Sequence, residues 1–273
     1  MIYEHIYEEI RKFPGATAIG RTEMERDILC FSIGGGRARA VFASAFHGLE
    51  YLTGEALLSF AKKYRHLHKY HDRIGVYFIP LMNPDGVDIA MNGMDPAEPM
   101  HRELIKHTGI IDFTHTWQAN AAGVDINHNF DALWQRTEKA PAPSKYGGAY
   151  PHSERETQAL TKLLRIIQPE LFIAFHSQGK EIYYDFNGLE SKESERTAKK
   201  LARKCGYTIG RPTGTAAYGG AKDWYIQEYH KQAFTVELGE GKNPLPYSQL
   251  RKMSRDVNKI CITAIKEILK SSR

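Results

Sequence analysis

The chain has 273 residues, 42% of them hydrophobic and 25% charged, which is the balance of a globular protein and excludes a disordered one. Its 37 Lys and Arg against 32 Asp and Glu leave a formal charge of +5, too small a surplus for a nucleic-acid footprint. Three scattered cysteines, Cys30, Cys205 and Cys261, make neither a disulfide framework nor a C-x-x-C site, so any metal must be held by His and carboxylates.

Residues 2–12 have the pattern of a short amphipathic helix. Glu4, Glu8 and Glu9 break up any apolar core there, so the segment does not resemble an export signal. No stretch approaches the ~20 apolar residues of a membrane span. The expectation is a cytoplasmic protein of one domain, residues 1–273, with neither a nucleic-acid nor a membrane partner.

Two β-rich runs, 27–33 and 38–46, flank the turn-forming Gly34-Gly35-Gly36. A helix is expected over 50–69. Residues 73–82 are almost continuously apolar, as in a strand covered on both faces. The segment 84–150 is rich in Gly, Asn and His and is long for a plain loop. Ser153-x-x-Glu156 has the spacing of a capping box opening a helix to Ile167. Strands are expected at 170–175, 181–186 and 232–238, and helices at 190–206 and 246–270. Such alternation argues for an α/β fold with a mixed or parallel sheet.

Three clusters can carry chemistry. Phe46-His47-Gly48-Leu49-Glu50 lies where a buried strand gives way to a helix, and His176 ends an apolar strand. Glu237 sits inside the apolar strand 232–238, where an unpaired charge is expensive. Strand ends of an α/β sheet are where ligands bind. Two His and one carboxylate would hold zinc with an open position, and a second carboxylate could take the proton of a water there. The remaining histidines, among them His66, His68, His71, His101, His115 and His152, look like surface or turn residues. Ser177 has no partner in the sequence that would make it a nucleophile.

In this order the chain resembles the zinc carboxypeptidase-like (M14) metallopeptidases. The landmarks are H-G-L-E (47–50), N-P-D-G (83–86), G-V-D-I-N-H-N-F (123–130), F-H-S-Q (175–178), G-G-A-K-D-W (219–224) and T-V-E-L-G (235–239). The resemblance implies a single α/β domain with a mixed, eight-stranded twisted sheet flanked by helices, and one zinc ion per chain. It also implies His47, Glu50 and His176 as zinc ligands, Glu237 as general base, and Asp125 as the carboxylate that orients the first His.

Departures from the family pattern bear on the substrate. The family's exopeptidases grip a terminal carboxylate with an Asn-Arg pair, whereas Asn127 is followed here by His128. A His cannot reproduce the bidentate fork of an Arg. The upstream Arg that polarises the scissile carbonyl is missing too, with Ala121 near its place. The family's mobile Tyr would fall near Thr215, with Tyr218 three residues later. These features, with W-Q-A-N (117–120), F-H-S-Q-G, G-G-A-K-D-W and N-P-L-P (243–246), are similar to the bacterial γ-D-glutamyl-meso-diaminopimelate peptidases. That resemblance implies a peptidoglycan stem peptide as substrate, with Asn127, His128, Tyr218 and Lys222 binding it. Lys222 falls where the family sets the pocket for the residue after the cleaved bond. The alternatives are an ordinary metallocarboxypeptidase, an N-acyl amino acid deacylase, or a peptidoglycan-fragment binder without turnover.

Overall fold

The computed structural model describes residues 2–110, 112–135 and 138–271. In chain order the elements are α1 (Ile2–Arg11), β1 (Thr17–Arg21), β2 (Asp27–Ile33), β3 (Ala38–Ser44), α2 (Tyr51–Tyr64), β4 (Ile74–Ile79), α3 (Pro84–Asn92) and α4 (Pro99–Thr108). They continue with α5 (Arg155–Ile167), β5 (Leu171–His176), β6 (Glu181–Tyr183), α6 (Lys192–Cys205), β7 (Thr208–Ile209), α7 (Ala221–Tyr229), β8 (Gln232–Glu237) and α8 (Leu250–Ser271).

The eight strands form one mixed sheet in the order β1-β2-β4-β3-β5-β8-β6-β7. Its centre, β4-β3-β5-β8, is parallel. On one side β1 and β2 add antiparallel; on the other, β6 runs antiparallel to β8 and carries β7 parallel to itself. The near-continuous apolar runs follow from this arrangement, because both faces of the central strands are covered. Ala40, Phe42, Ile173 and Phe175 pack with α1, α2, α6 and α8. Their neighbours Val41, Ala43, Phe172 and Ala174 pack on the other face with Leu160 and Leu164 of α5 and Trp224 and Tyr225 of α7. Among the described residues no helix is long and apolar enough to cross a membrane.

Among its described residues the segment 84–150 contains two α-helices, α3 and α4. Asn83 caps α3, its Oδ1 accepting from Gly86 N at 2.8 Å, and α4 opens on Pro99 and ends at the left-handed Gly109. A third cluster built on Trp117, Ala119 and Ala121 fills the space beneath them. His101, expected at a surface or turn, is instead buried in α4, where its Nδ1 accepts from Asp95 N. His152 is half-buried, edge-on to Phe130 and Trp224.

The expected capping box does not form. Glu154 is the N-cap of α5, and Ser153 Oγ donates to Glu154 Oε1 at 2.7 Å. Glu156 points inward instead. It is fully buried, takes a 3.3 Å hydrogen bond from Asn120 Nδ2 on Oε2, and leaves Oε1 without a partner. The same amide nitrogen donates to Glu154 Oε2 at 2.7 Å.

Candidate metal centre

His47, Glu50, His176 and Glu237 all lie at the C-terminal ends of adjacent central strands. His47 and Glu50 follow β3, His176 ends β5 and Glu237 ends β8. The turn after β3 must be tight. Gly48 permits this, because a Cβ there would lie 2.2 Å from Gly86 O and 2.8 Å from Trp117 O. Asn83 clamps the same turn, its Nδ2 donating to Phe46 O at 3.0 Å and to Ala119 O at 3.2 Å. The N-P-D-G landmark therefore holds H-G-L-E in place. N-P-L-P does the same for F-H-S-Q: Asn243 Nδ2 donates to Ser177 O at 2.8 Å, and Ser177 Oγ donates to Asn243 Oδ1 at 2.9 Å.

His47, Glu50 and His176 each direct one ligand atom to a common point, and these atoms all lie within 4.8 Å of one another. Glu50 stands between the rings, with Oε1 2.9 Å from His47 Nδ1 and Oε2 3.0 Å from His176 Nδ1. Two imidazoles and a carboxylate around one point are a donor set that suits zinc. The other nitrogen of His47 lies 3.0 Å from Asp125 Oδ1. Asp125 is fixed in turn by Lys145 N at 2.9 Å and Asn127 N at 3.2 Å. A ligating imidazole held by a carboxylate has its ring orientation set in this way.

The electrostatics follow from burial and neighbours. Burial opposes the charged form of Glu50, but His47 and His176 outweigh it and hold the carboxyl at about 2. Asp125 is likewise held well below the usual range, against its burial, by His47 and then His128. Burial disfavours the cation of His47, yet Glu50 and Asp125 raise it well above an ordinary imidazole. Glu237 goes the other way: burial first, then the charge of Glu50, push its carboxyl well above the usual range.

A cavity of about 160 Å³ opens on this centre. Its lining includes His47, His176 and Glu237, and also Asn127, His128 and Lys222. Asn127 Oδ1 accepts from Ala221 N at 3.1 Å, which ties the start of α7 to the ligand loop. Lys222 is not a surface lysine, being 3% exposed. Its Nζ donates to Asp185 O at 2.5 Å and pairs with Asp223 Oδ1 at 2.5 Å. Of the three donors on an ammonium, one remains for a ligand.

Tyr218 is not brought to this cavity. It lines a neighbouring one of about 210 Å³ with Leu133, Phe186 and Ala217, because the turn over Gly214–Ala217 carries it away. Ala121 is fully buried beside Trp117 and presents nothing to the cavity. Sequence reasoning missed Tyr183, Thr235 and Asp223 in the lining. The period-two pattern Glu181, Tyr183, Asp185 in E-I-Y-Y-D-F was the available signal for a polar face there.

The zinc carboxypeptidase family model matches residues 4–259. A curated relative, the γ-D-glutamyl-L-diamino acid endopeptidase 1 of Lysinibacillus sphaericus, is 32% identical over 270 residues, covering 90% of this chain and 67% of that protein. Among solved structures, thrombin-activatable fibrinolysis inhibitor aligns with a TM-score of 0.79 at 20% identity, over 98% of this chain and 73% of that one. The murein-tripeptide amidase MpaA of Escherichia coli O157 aligns with a TM-score of 0.60 at 21% identity, over 92% and 95%. With its His-Glu-His group gathered at the ends of β3 and β5, the chain belongs to the zinc carboxypeptidase family and is a zinc-dependent peptidase.

Proposed function

We propose that the protein hydrolyses the amide between γ-D-glutamate and a diamino acid, diaminopimelate, in peptidoglycan stem peptides. The observation that carries the reading is the cavity lining: the imidazole of His128 in place of a guanidinium, and the buried ammonium of Lys222 at the wall. The relative's name, with its γ-D-glutamyl-L-diamino acid bond, supports it. We read residues 1–273 as one zinc peptidase domain, in keeping with the family match. The three cysteines are free, which suits a cytoplasmic setting.

In this reading His47, Glu50 and His176 hold the ion. When bound there, zinc supplies Lewis acidity that makes water nucleophilic near neutral pH and polarises the scissile carbonyl. Glu237 takes the proton of the attacking water and returns it to the leaving nitrogen. Asp125 keeps His47 turned toward the centre. Asn127 and His128 meet the substrate, and His128 supplements oxyanion stabilisation. Lys222 uses its remaining donor on a substrate carboxylate. Tyr218, in the adjoining cavity, would meet a more distant part of the peptide.

Two measurements test this. His176→Ala should lose most of its zinc by elemental analysis, and full occupancy in that variant would remove His176 from the ligand set. L-Ala-γ-D-Glu-meso-diaminopimelate should be cut faster than its L-Lys counterpart. A charge-assisted hydrogen bond contributes roughly 1.5–3 kcal/mol. Because Asp223 already pairs with Lys222, about tenfold in kcat/KM is expected, and Lys222→Met should erase it. Rapid release of C-terminal Phe or Leu from plain peptides would instead make this an ordinary carboxypeptidase.

A further inference from the structure

Across three adjacent strands, His176 of β5 pairs with Glu237 of β8, and Glu237 with Glu181 of β6. Residues directly opposite in a ladder project to the same face. Glu181 therefore stands beside Glu237 on the face that carries the metal centre. The two side chains run close together: a Cβ on Gly179 would lie 3.8 Å from Glu181 Cγ and 3.9 Å from Glu237 Cβ. Tyr183, which lines the cavity, donates from its hydroxyl to Glu181 Oε2 at 2.6 Å.

Neighbouring carboxylates disfavour each other's charge. A fold relieves this with a cation, yet among the described residues no Lys, Arg or His pairs with Glu181. The adjacent Lys180 turns to Glu240 at 2.5 Å. The other buried carboxylate of the cavity, Asp223, is 3% exposed and already paired, its Oδ1 lying 2.5 Å from Lys222 Nζ. Glu181 thus stands beside the cavity-lining Tyr183 without a cationic partner among the described residues, while Lys222 keeps one ammonium donor for a ligand.

Resting on the reading of this cavity as the diamino acid subsite, we propose that Glu181, held by Tyr183, binds the side-chain ammonium of the substrate. Lys222 and Glu181 then divide the side-chain terminus between them. Lys222 takes a distal carboxylate and Glu181 the distal amine, so the pocket recognises a zwitterionic end and not a single charge.

The test uses the zinc-loaded protein and four peptides, L-Ala-γ-D-Glu-X. X is meso-diaminopimelate, L-2-aminopimelate (lacking the distal amine), L-Lys (lacking the distal carboxylate) or L-norleucine (lacking both). Loss of the distal amine should lower wild-type kcat/KM about ten- to a hundredfold. Glu181→Gln should bring the ratio of the diaminopimelate to the aminopimelate peptide close to one. It should leave the ratio of the diaminopimelate to the L-Lys peptide in place. Tyr183→Phe should narrow the amine-dependent ratio partway. Equal wild-type rates with and without the amine, or an unchanged ratio in Glu181→Gln, would overturn the assignment. If none of the four peptides is cut, the γ-glutamyl reading fails. Calorimetry with free meso-diaminopimelate and free 2-aminopimelate then decides for Glu181. Amine-dependent binding that is lost in Glu181→Gln upholds it, and equal binding overturns it.

Discussion

Replacing Glu237 by glutamine is expected to lower kcat by about 10²–10⁴-fold, the usual worth of a general base, with the zinc content unchanged. Glutamine keeps the size and shape of the side chain but cannot accept a proton. The backbone at this position is held from both sides, since β8 pairs with β5 and with β6. The substitution should therefore leave His47, Glu50 and His176 where they are. The measurement is kcat on the diaminopimelate tripeptide beside elemental analysis of the same sample. Turnover near the wild-type level would show that another group takes the proton of the water.

A second large effect concerns stability. Glu156 is fully buried, and burial, with Asp85 and Glu154 adding to it, raises its carboxyl from 4.5 to about 8. Asn120 is a shared hydrogen-bond donor to it and to Glu154, and Arg26 neutralises Asp85 at 2.8 Å. The folded protein therefore keeps a proton on Glu156 that the unfolded chain gives up above about pH 4.5. Stability from this group is fully present below that pH and is lost as the pH rises toward 8, by on the order of 5 kcal/mol. Urea unfolding at pH 5 and pH 8 should show the wild type weakening at the higher value. Glu156→Gln should lose much of that slope and be the more stable protein at pH 8. An identical slope in both proteins would place the proton elsewhere.

The buried strands and the amphipathic helices were legible in the sequence because their patterns are dictated by burial. Strands β2 to β5 and β8 read as apolar runs, and α6 and α8 show their periodicity. The elements that escaped had weak patterns for identifiable reasons. The edge strand β1, T-A-I-G-R, is largely exposed and so lacks a buried face. In α4 only His101 and Leu104 are buried, so no apolar stripe appears, although Pro99 and Gly109 mark its two ends. In α7 six consecutive residues, Ala221 to Ile226, are buried, which erases helical alternation. Ser153 and Glu156 had the right spacing for a cap, but the tertiary demand of Asn120 drew Glu156 inward. At the site, the suspect residues His47, Glu50, His176 and Glu237 could be found as polar groups at apolar strand ends. The contact of Asp125 with His47 spans 78 positions and has no local signature. The family resemblance supplied it. The position of Glu181 beside Glu237 depends on β6 lying antiparallel on β8, which no local pattern specifies.

The proposed ligand set is also a record of assembly. His47 and Glu50 are near neighbours in the chain, but His176 lies 126 positions beyond Glu50. An unfolded chain can offer an ion only the local pair. The third ligand arrives when β5 docks on β3, a pairing that joins Ala40 to Leu171 and Ser44 to Phe175. Contacts so distant in sequence form slowly, because the intervening chain must close a long loop first. High-affinity zinc uptake should therefore report the late step in which the two halves of the sheet meet. The ion then acts as a staple across that seam, favouring the native state by mass action in proportion to its concentration over its dissociation constant.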